Sequence, residues 1–329
     1  MPQLIDSLPG IPLPISDVNR TLRHMWDAES TSPDGGGEPH AMQLNLVLHF
    51  GPDTTEEEGS RCFEAAIHFA QRYPCRVIVL CPDTEEGEEM RAKLFSQCYL
   101  GPNLRDMCCC EAIIVSQRYT HDASLENQVS LWIESDLPVY HWLHRVPVDR
   151  LVKGPYMGFL KRSTRIFFDR QVEGDAYRGV AWPDARRLRD LAFARSLPMR
   201  QNFGQFLSGF PLEALTSNFE GGIVRTDAAR RGAAEGLASW MGACLTEAFA
   251  RQGIERKVEI PVEMMGDAQG PDIEAVWNYS DRHRYLKWNL DLDSRTGHVD
   301  CNFGSGKIAQ AFHLELLETS GELSEALFF

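Results

Sequence analysis

The chain has 329 residues, 43% of them hydrophobic, and its 33 Lys and Arg against 47 Asp and Glu give a net charge of −14. This composition indicates a globular protein long enough for two domains, and the charge argues against nucleic acid and anionic membranes as partners. No run approaches the ~18 consecutive apolar residues that span a bilayer, and residues 1–6 lack the features of a secretory signal. We therefore expect a cytoplasmic location.

The first part of the chain is predicted to lead into a larger domain. It contains several prolines and an amphipathic helix from Ser16 to about Ala28, in which Val18 and Leu22 recur at helical spacing. A glycine-rich loop follows this helix. We assign residues 1–40 to an N-terminal approach segment.

Apolar runs then alternate with helical patterns. Predicted strands cover residues 44–50, 76–80, 109–115, 138–142 and 165–168. Predicted helices cover residues 56–73, 88–97, 124–134, 148–160, 183–194 and 199–207. Continuous apolar strands separated by helices are typical of a mainly parallel sheet with helices on both faces. The pattern predicts an α/β domain over residues 41–210.

The remaining sequence has a different pattern. A helix rich in small residues is predicted over residues 227–251. Beyond it, apolar and polar residues alternate strictly over residues 257–264, 273–279, 286–292, 299–303 and 312–316. Such alternation is typical of antiparallel strands with one solvated face. We therefore predict a smaller α+β domain with an antiparallel sheet over residues 211–329.

The nine cysteines include three consecutive ones, Cys108, Cys109 and Cys110. Successive strand residues point to opposite faces, and the chain has no Cys-x-x-Cys pair, so we predict no metal site. Irregular spacing favours free thiols over a disulfide framework. Two interpretations stay open for the three: buried strand thiols, or a redox switch with exposed thiols of lowered pKa.

The sequence contains no specific catalytic signature. No Gly-x-Gly-x-x-Gly follows the first predicted strand; the stretch from Gly51 to Glu58 is acidic where a dinucleotide pyrophosphate would need free backbone amides. A Gly-x-Ser-x-Gly motif is also missing from the sequence. We therefore assign no catalytic, metal-binding or cofactor-binding residue and predict no cofactor.

Two surfaces could bind a partner or a ligand. Open α/β sheets bind ligands beyond the carboxyl ends of their strands, which predicts a crevice near Arg118, His141 and Trp142. Arginine and aromatic residues, which often dominate protein interfaces, also gather in one stretch. That stretch is either a solvated helix face or a docking surface, and its candidates for partner binding are Arg189, Phe193, Arg195, Met199, Arg200 and Phe203.

An ordered set of stretches resembles the OpcA family, described as glucose-6-phosphate dehydrogenase assembly proteins or subunits. The order and spacing of these stretches carry the resemblance more than any one of them. They are Ser16–Asp27, Leu44–Val47, Arg72–Val79, Cys110–Ile113, Asp136–Trp142 and Asp190–Arg200.

The resemblance implies a non-catalytic partner that binds glucose-6-phosphate dehydrogenase, an NADP-dependent enzyme of the oxidative pentose phosphate pathway, and promotes its assembly or activity. It supplies no catalytic residue to carry over. The alternative from the residues themselves is an enzyme or sensor that binds a sugar phosphate or nucleotide in the predicted crevice.

Overall fold

The structure is a computed structural model that describes residues 3–30, 42–83, 90–100, 107–118, 122–266 and 270–328. The chain separates into two compact units. Unit 1 comprises residues 1–168, 172–189 and 326–329, and unit 2 comprises residues 169–171 and 190–325. The predicted domain limits, at residues 40 and 210, stay a prediction.

The helices are mostly short. Their bounds are α1 Leu4–Ser7, α2 Val18–Ser30, α3 Glu56–Arg72, α4 Asp122–Ser130, α5 Val148–Leu151, α6 Gly154–Leu160, α7 Arg170–Glu173, α8 Leu191–Arg195, α9 Leu197–Leu207, α10 Leu212–Thr216, α11 Arg231–Arg251 and α12 Thr319–Phe328. None of these helices, over the described residues, is both long and apolar enough to cross a membrane.

The strands form two sheets. Their bounds are β1 Ile11–Leu13, β2 Leu44–Phe50, β3 Cys75–Pro82, β4 Ala92–Leu100, β5 Met107–Gln117, β6 Val139–His144, β7 Arg165–Phe168, β8 Leu188–Asp190, β9 Phe219–Thr226, β10 Val262–Met264, β11 Ile273–Tyr279, β12 Tyr285–Asp291, β13 Thr296–Asn302 and β14 Ile308–His313.

The first sheet confirms the predicted α/β class. Its order is β1-β4-β5-β3-β2-β6-β7-β8, and the five strands β5, β3, β2, β6 and β7 run parallel. Every residue of β2 is buried, as expected for a strand covered on both faces. The core on one face includes Val47, Ile78, Ile113 and Leu143 from four of these strands.

Two predicted helices in this half are wrong. Residues 92–100 form strand β4, which pairs antiparallel with β5, rather than the predicted helix over residues 88–97. Ala92 and Leu94 are buried, while Lys93 between them is more exposed, which is the two-residue period of a strand. The predicted helix over residues 183–194 is also replaced, by β8 and the short α8.

The second sheet confirms the predicted antiparallel part. Its order is β10-β9-β11-β12-β13-β14, with one parallel pair, β10 and β9. Trp277 and Trp288 are fully buried on one face, where α9 and α11 contribute Phe203, Leu237 and Met241 to the same core. Strand β9, which contains Gly221 and Gly222, was not predicted, and the glycines weaken its strand pattern.

Candidate functional site: the crevice of unit 1

The strand order of the first sheet places a crevice next to β2. The chain passes from β2 to β3 on one side and returns to β6 on the other, so the order β5-β3-β2-β6-β7 has a switch point between β2 and β6. Doubly wound sheets bind ligands beyond the carboxyl ends of the strands at such a point, with phosphate groups at the start of the helix that follows the first strand. In this chain that helix is α3.

The start of α3 is closed by its own capping groups. The Thr55 hydroxyl accepts a hydrogen bond from the Glu58 amide at 3.2 Å, and the Glu58 carboxylate accepts one from the Thr55 amide at 3.2 Å. The Gly59 amide donates to the Thr55 carbonyl, and the Gly51 amide donates to the His144 carbonyl at 2.8 Å. The amides of Gly51, Thr55 and Glu58 therefore already have partners within the chain.

An ion pair joins helix α3, which follows β2, to the residue that follows β6. Arg145, which directly follows β6, donates to Glu58 from Nε at 2.8 Å and from its terminal nitrogen at 2.5 Å. The hydrogen bonds from Arg145 lower the pKa of Glu58 to about 2. The Arg145 amide donates to the Glu173 carboxylate at 2.7 Å. A carboxylate thus stands where the pyrophosphate of a dinucleotide would need positive potential.

The backbone also fills the space beside β2. A Cβ atom on Gly51 would collide with the carbonyl oxygen of Arg145. Arg145 itself has φ of 55°, a left-handed conformation that is uncommon outside glycine. Gly51 has no side chain, which allows the backbone at Arg145 to approach it closely. The residues present therefore do not fit a dinucleotide pyrophosphate.

Beneath this point lies a buried hydrogen-bonded chain of side chains. His49 Nε2 is 2.7 Å from His141 Nδ1, and the Tyr156 hydroxyl is 2.7 Å from His49 Nδ1. The Arg150 guanidinium lies over the Tyr156 ring, 4.4 Å from its centre. Burial lowers the pKa of His141 to about 3 and, with the charges of His141 and Arg150, holds the pKa of His49 well below its usual value. Both imidazoles are therefore neutral at pH 7.

The predicted ligand residues do not form one open site. His141 and Trp142 are both buried, and they point to opposite faces of the sheet because they are consecutive in β6. Arg118 follows β5 and is half-buried. A ligand role for these three residues stays a prediction. Among the described residues, no three His, Cys, Asp or Glu side chains are grouped so that they could hold a metal ion.

Two of the predicted docking residues belong to the core of unit 2. Met199 and Phe203 are 0% and 1% exposed. The Phe203 ring lies 5.4 Å from that of Trp277 and 6.0 Å from that of Trp288. Their side chains therefore stabilise the fold, and they do not contribute to a contact surface on the folded chain.

Two predicted docking arginines bind carboxylates of their own unit. Arg195 donates to Glu322 at 2.6 Å and to Asp169 at 2.6 Å. Arg200 lies 3.6 Å from Glu325 and also donates to the Ser196 hydroxyl at 3.1 Å. Burial raises the pKa of Glu322 to about 7 in spite of the hydrogen bond from Arg195.

Phe193 retains the exposure that a contact residue needs. It is 38% exposed, and the guanidinium of Arg200 lies 4.1 Å from its ring centre. Arg189 is half-buried and donates to the carbonyls of Arg186 and Leu188. Arg189 falls in unit 1, whereas Phe193 and Arg200 fall in unit 2. A docking role for these residues stays a prediction.

The cysteines differ in part from expectation. Cys110 is buried and is not disulfide-bonded. The side chains of Cys108 and Cys109 lie outside the described residues, so the redox hypothesis stays a prediction. Cys98 of β4 is disulfide-bonded, which contradicts the expectation of free thiols, and the strand register places it opposite Cys109.

Sequence reasoning missed the residues that close the crevice. The spacing of Thr55 and Glu58 is that of a capping box, a local signal that could have identified Glu58 as a cap. Its partner Arg145 is 87 residues away, and His49 is 92 residues from His141. No local pattern indicates either pairing.

Three solved structures show a distant similarity to the whole chain. Glucose-6-phosphate 1-dehydrogenase from Mycobacterium avium has 9% identity and a TM-score of 0.47, covering 87% of this chain and 86% of that chain. The putative oxidoreductase yvaA from Bacillus subtilis has 8% identity, a TM-score of 0.37 and coverages of 84% and 86%. Aspartate semialdehyde dehydrogenase II from Vibrio cholerae has 9% identity, a TM-score of 0.32 and coverages of 74% and 73%.

The family comparison agrees with the resemblance seen in the sequence. No curated protein sequence matches the chain. Residues 66–180 match the family model described as the glucose-6-phosphate dehydrogenase subunit N-terminal domain. This stretch contains most of unit 1, from the middle of α3 to beyond β7. This match supports, over residues 66–180, the resemblance to the OpcA family of glucose-6-phosphate dehydrogenase assembly proteins.

Proposed function

We propose that this chain is a non-catalytic assembly subunit that binds glucose-6-phosphate dehydrogenase and promotes its oligomerisation or activity in the oxidative pentose phosphate pathway. The observation that carries the proposal is the family match over residues 66–180. We expect it to act in the cytoplasm, where that pathway operates.

The crevice geometry supports a role without chemistry. The Glu58 amide at the start of α3 donates to the Thr55 hydroxyl, and the Glu58 carboxylate is paired with Arg145, which follows β6. A dinucleotide would bring two phosphates against the Glu58 carboxylate, whose pKa of about 2 keeps it charged at neutral pH. The fold of unit 1 thus serves as a scaffold.

The mechanism would be thermodynamic. A subunit that binds one oligomeric or active state of an enzyme more tightly than the others increases the population of that state by the ratio of the affinities. A coupling of about 1–3 kcal/mol, typical of such effects, changes an equilibrium by about 5-fold to 150-fold. No bond has to be made or broken by the subunit.

The direct test mixes the purified chain with glucose-6-phosphate dehydrogenase from the same organism. We expect the two to co-elute in size-exclusion chromatography and the kcat/KM of the enzyme to change with subunit concentration, while the chain alone shows no turnover. Unchanged kinetics and separate elution at every ratio would refute the proposal. Turnover by the chain alone would refute its non-catalytic part.

Phe193 and Arg200 are the proposed contact residues in unit 2. Phe193→Ala should weaken binding of the enzyme without unfolding the subunit, because its ring is partly exposed and stacked on Arg200. Leu212→Ala is the matched control, since Leu212 lies in the same unit and is 39% exposed. Equal affinities for the two variants would place the contact elsewhere.

The alternative, a small-molecule enzyme or sensor, has no structural observation in its favour. His141 and Trp142 are buried in the sheet rather than presented in the crevice.

A further inference from the structure

Residues 3–8, which contain α1, form a packed segment of unit 1. Leu4, Ile5 and Leu8 are 7%, 1% and 2% exposed, so the segment is packed into the unit as firmly as a core element. Helix α1 contacts α3, β3 and β5. Helix α3 follows β2, the first parallel strand, and β3 and β5 are the next two strands of the sheet on one side of β2. The segment lies at the carboxyl ends of these strands, where an open sheet binds ligands.

The apolar side of the segment reaches the first turns of α3. A Cβ atom on Gly59 would lie 2.6 Å from the Leu4 Cδ1 atom, so Gly59 leaves the room that the Leu4 side chain takes. In dinucleotide-binding folds, small residues near this helix start allow the cofactor to approach closely. Here the approaching group is a leucine of the same chain.

The polar side of the segment meets the end of β3. In dinucleotide-binding folds, an acidic residue at the end of the second strand binds the ribose hydroxyls of the adenosine half. Strand β3 is that second strand, and Asp83 directly follows it. The Gln3 side-chain amide donates to Asp83 Oδ1 at 2.9 Å. The amide of Gln3 therefore supplies the hydrogen that a ribose hydroxyl would supply.

Further polar contacts hold the segment in this place. Arg91 donates to the Asp6 carboxylate at 2.8 Å and also to the Gln3 side-chain oxygen. Lys93 donates to the Leu8 carbonyl at 2.8 Å. The Gln3 and Asp6 side chains also form a reciprocal cap with the backbone at the start of α1. The segment is thus fixed on its apolar face and at both of its ends.

We propose that residues 3–8 occupy the adenosine half of a nucleotide crevice in unit 1, while the Glu58–Arg145 pair occupies the phosphate half. The crevice is filled by the chain itself. An assembly subunit built in this way does not compete with its NADP-dependent partner for the dinucleotide.

The proposal predicts that the full chain and a chain without the segment differ in how their Tm responds to NADP⁺ and adenosine. Neither NADP⁺ nor adenosine should change the Tm of the full chain. Deletion of residues 1–8 should lower the Tm by about 5 °C or more, because three buried apolar side chains are lost. Adenosine in large excess should then raise the Tm of the truncated chain by about 2 °C or more. NADP⁺ should raise it less, because its phosphates meet the acidic start of α3.

A point variant keeps the test decisive if the truncated chain does not fold. Ile5→Ala removes the most buried side chain of the segment, and Ile11→Ala is its matched control, because Ile11 lies just beyond the segment and is 76% exposed. We expect a lower Tm and a response to adenosine for Ile5→Ala and neither for Ile11→Ala.

Two results would overturn the proposal. A rise in the Tm of the full chain with NADP⁺ or adenosine would show that the crevice is open. If the opened variant that folds does not respond to adenosine, the segment does not stand in a nucleoside site. Neither measurement involves the partner enzyme, so the outcome is independent of the proposed assembly function.

Discussion

The cores of the two units differ in their proportion of buried polar side chains. The core of unit 2 is a cluster of apolar and aromatic side chains around Trp277 and Trp288. Buried polar and charged side chains are more numerous in unit 1 than in unit 2. Among the described residues, those of unit 2 are Ser196, Thr216, Thr226 and Glu322. Those of unit 1 are Gln3, Asn45, His49, Thr54, Arg76, Glu111, Ser116, His141, His144, Arg150 and Ser163.

This difference indicates what each unit depends on. An apolar core is sensitive to lost volume, since a cavity forfeits contacts that nothing replaces. Buried polar groups are sensitive to the loss of one partner or to a change of protonation, because an unpaired buried charge is costly. The four predictions below test this contrast, from the largest expected effect to the smallest.

The largest effect is expected in the apolar core of unit 2. Trp288 is fully buried, its ring stacks on that of Phe312 at 5.3 Å, and its Nε1 donates to Asn202 at 3.1 Å. Trp288→Ala should lower the free energy of unfolding by about 3–5 kcal/mol, measured by urea denaturation. Lys287→Ala, on the exposed face of the same strand, should change it by less than about 0.5 kcal/mol. Similar losses of unfolding free energy for Trp288→Ala and Lys287→Ala would show that the core of unit 2 is not sensitive to lost volume.

A buried arginine gives the corresponding test in unit 1. Arg76 is 5% exposed and donates to Glu134 at 2.7 Å and to the Trp132 carbonyl at 2.7 Å, with Glu111 3.9 Å away. Arg76→Ala should lower the free energy of unfolding by about 3 kcal/mol, measured by urea denaturation, because it leaves Glu111 buried without this cation.

The matched control for Arg76 is an exposed arginine. Arg251 pairs with Glu247 one turn away on α11, and its side chain is 64% exposed. Arg251→Ala should cost about 0.5 kcal/mol or less. An equal loss for the two arginines would mean that burial of the ion pair does not matter.

The buried histidines predict a loss of stability in acid. Their folded-state pKa values lie below the ordinary 6.5, so the unfolded chain binds protons first as the pH falls. The free energy of unfolding should drop by about 1.4 kcal/mol for each of His49 and His141 between about pH 7.5 and about pH 5.5. The double variant His49→Gln and His141→Gln should show a smaller drop over this interval. An unchanged pH profile would contradict the assignment.

The crevice ion pair has the smallest expected effect. Glu58→Gln should lower the free energy of unfolding by about 1 kcal/mol at neutral pH, because Arg145 is partly exposed and water screens the pair. The Glu58 pKa of about 2 lies below its ordinary 4.5, so this contribution is present above pH 4.5 and is lost as the pH falls towards about 2. Glu57→Gln, an exposed neighbour in the same turn, should have no measurable effect. If Glu57→Gln lowers the free energy of unfolding as much as Glu58→Gln does, the effect comes from the change in net charge and not from the ion pair.

The sequence patterns with a clear period predicted their elements well. The apolar run of β2 and the alternation of β11 were predicted at the bounds that the structure shows, Leu44–Phe50 and Ile273–Tyr279. Both patterns report burial directly, on two faces for β2 and on one face for β11. The OpcA resemblance also rested on ordered local stretches, and the family match confirms it.

Other features depend on contacts that no local pattern reports. Residues 88–97 are rich in charged residues and were predicted as a helix, yet Ala92 and Leu94 are held in a strand by pairing with β5. Met199 looked like a surface residue beside arginines, and only the packing of α9 shows that it is buried. The contact from Gln3 to Asp83 joins residues 80 positions apart.

The parallel pairing of β9 with β10 joins two strands that are far apart in the chain. The whole of α11 lies between them, and β10 pairs with one edge of β9 while β11 pairs with the other. The pairing of Val262 with Val224 closes a long loop, whereas each strand of the β11–β14 meander joins its predecessor through a short one. The entropy lost on closing a loop grows with its length, so the pairings of β9 cost more entropy to form than those of the meander.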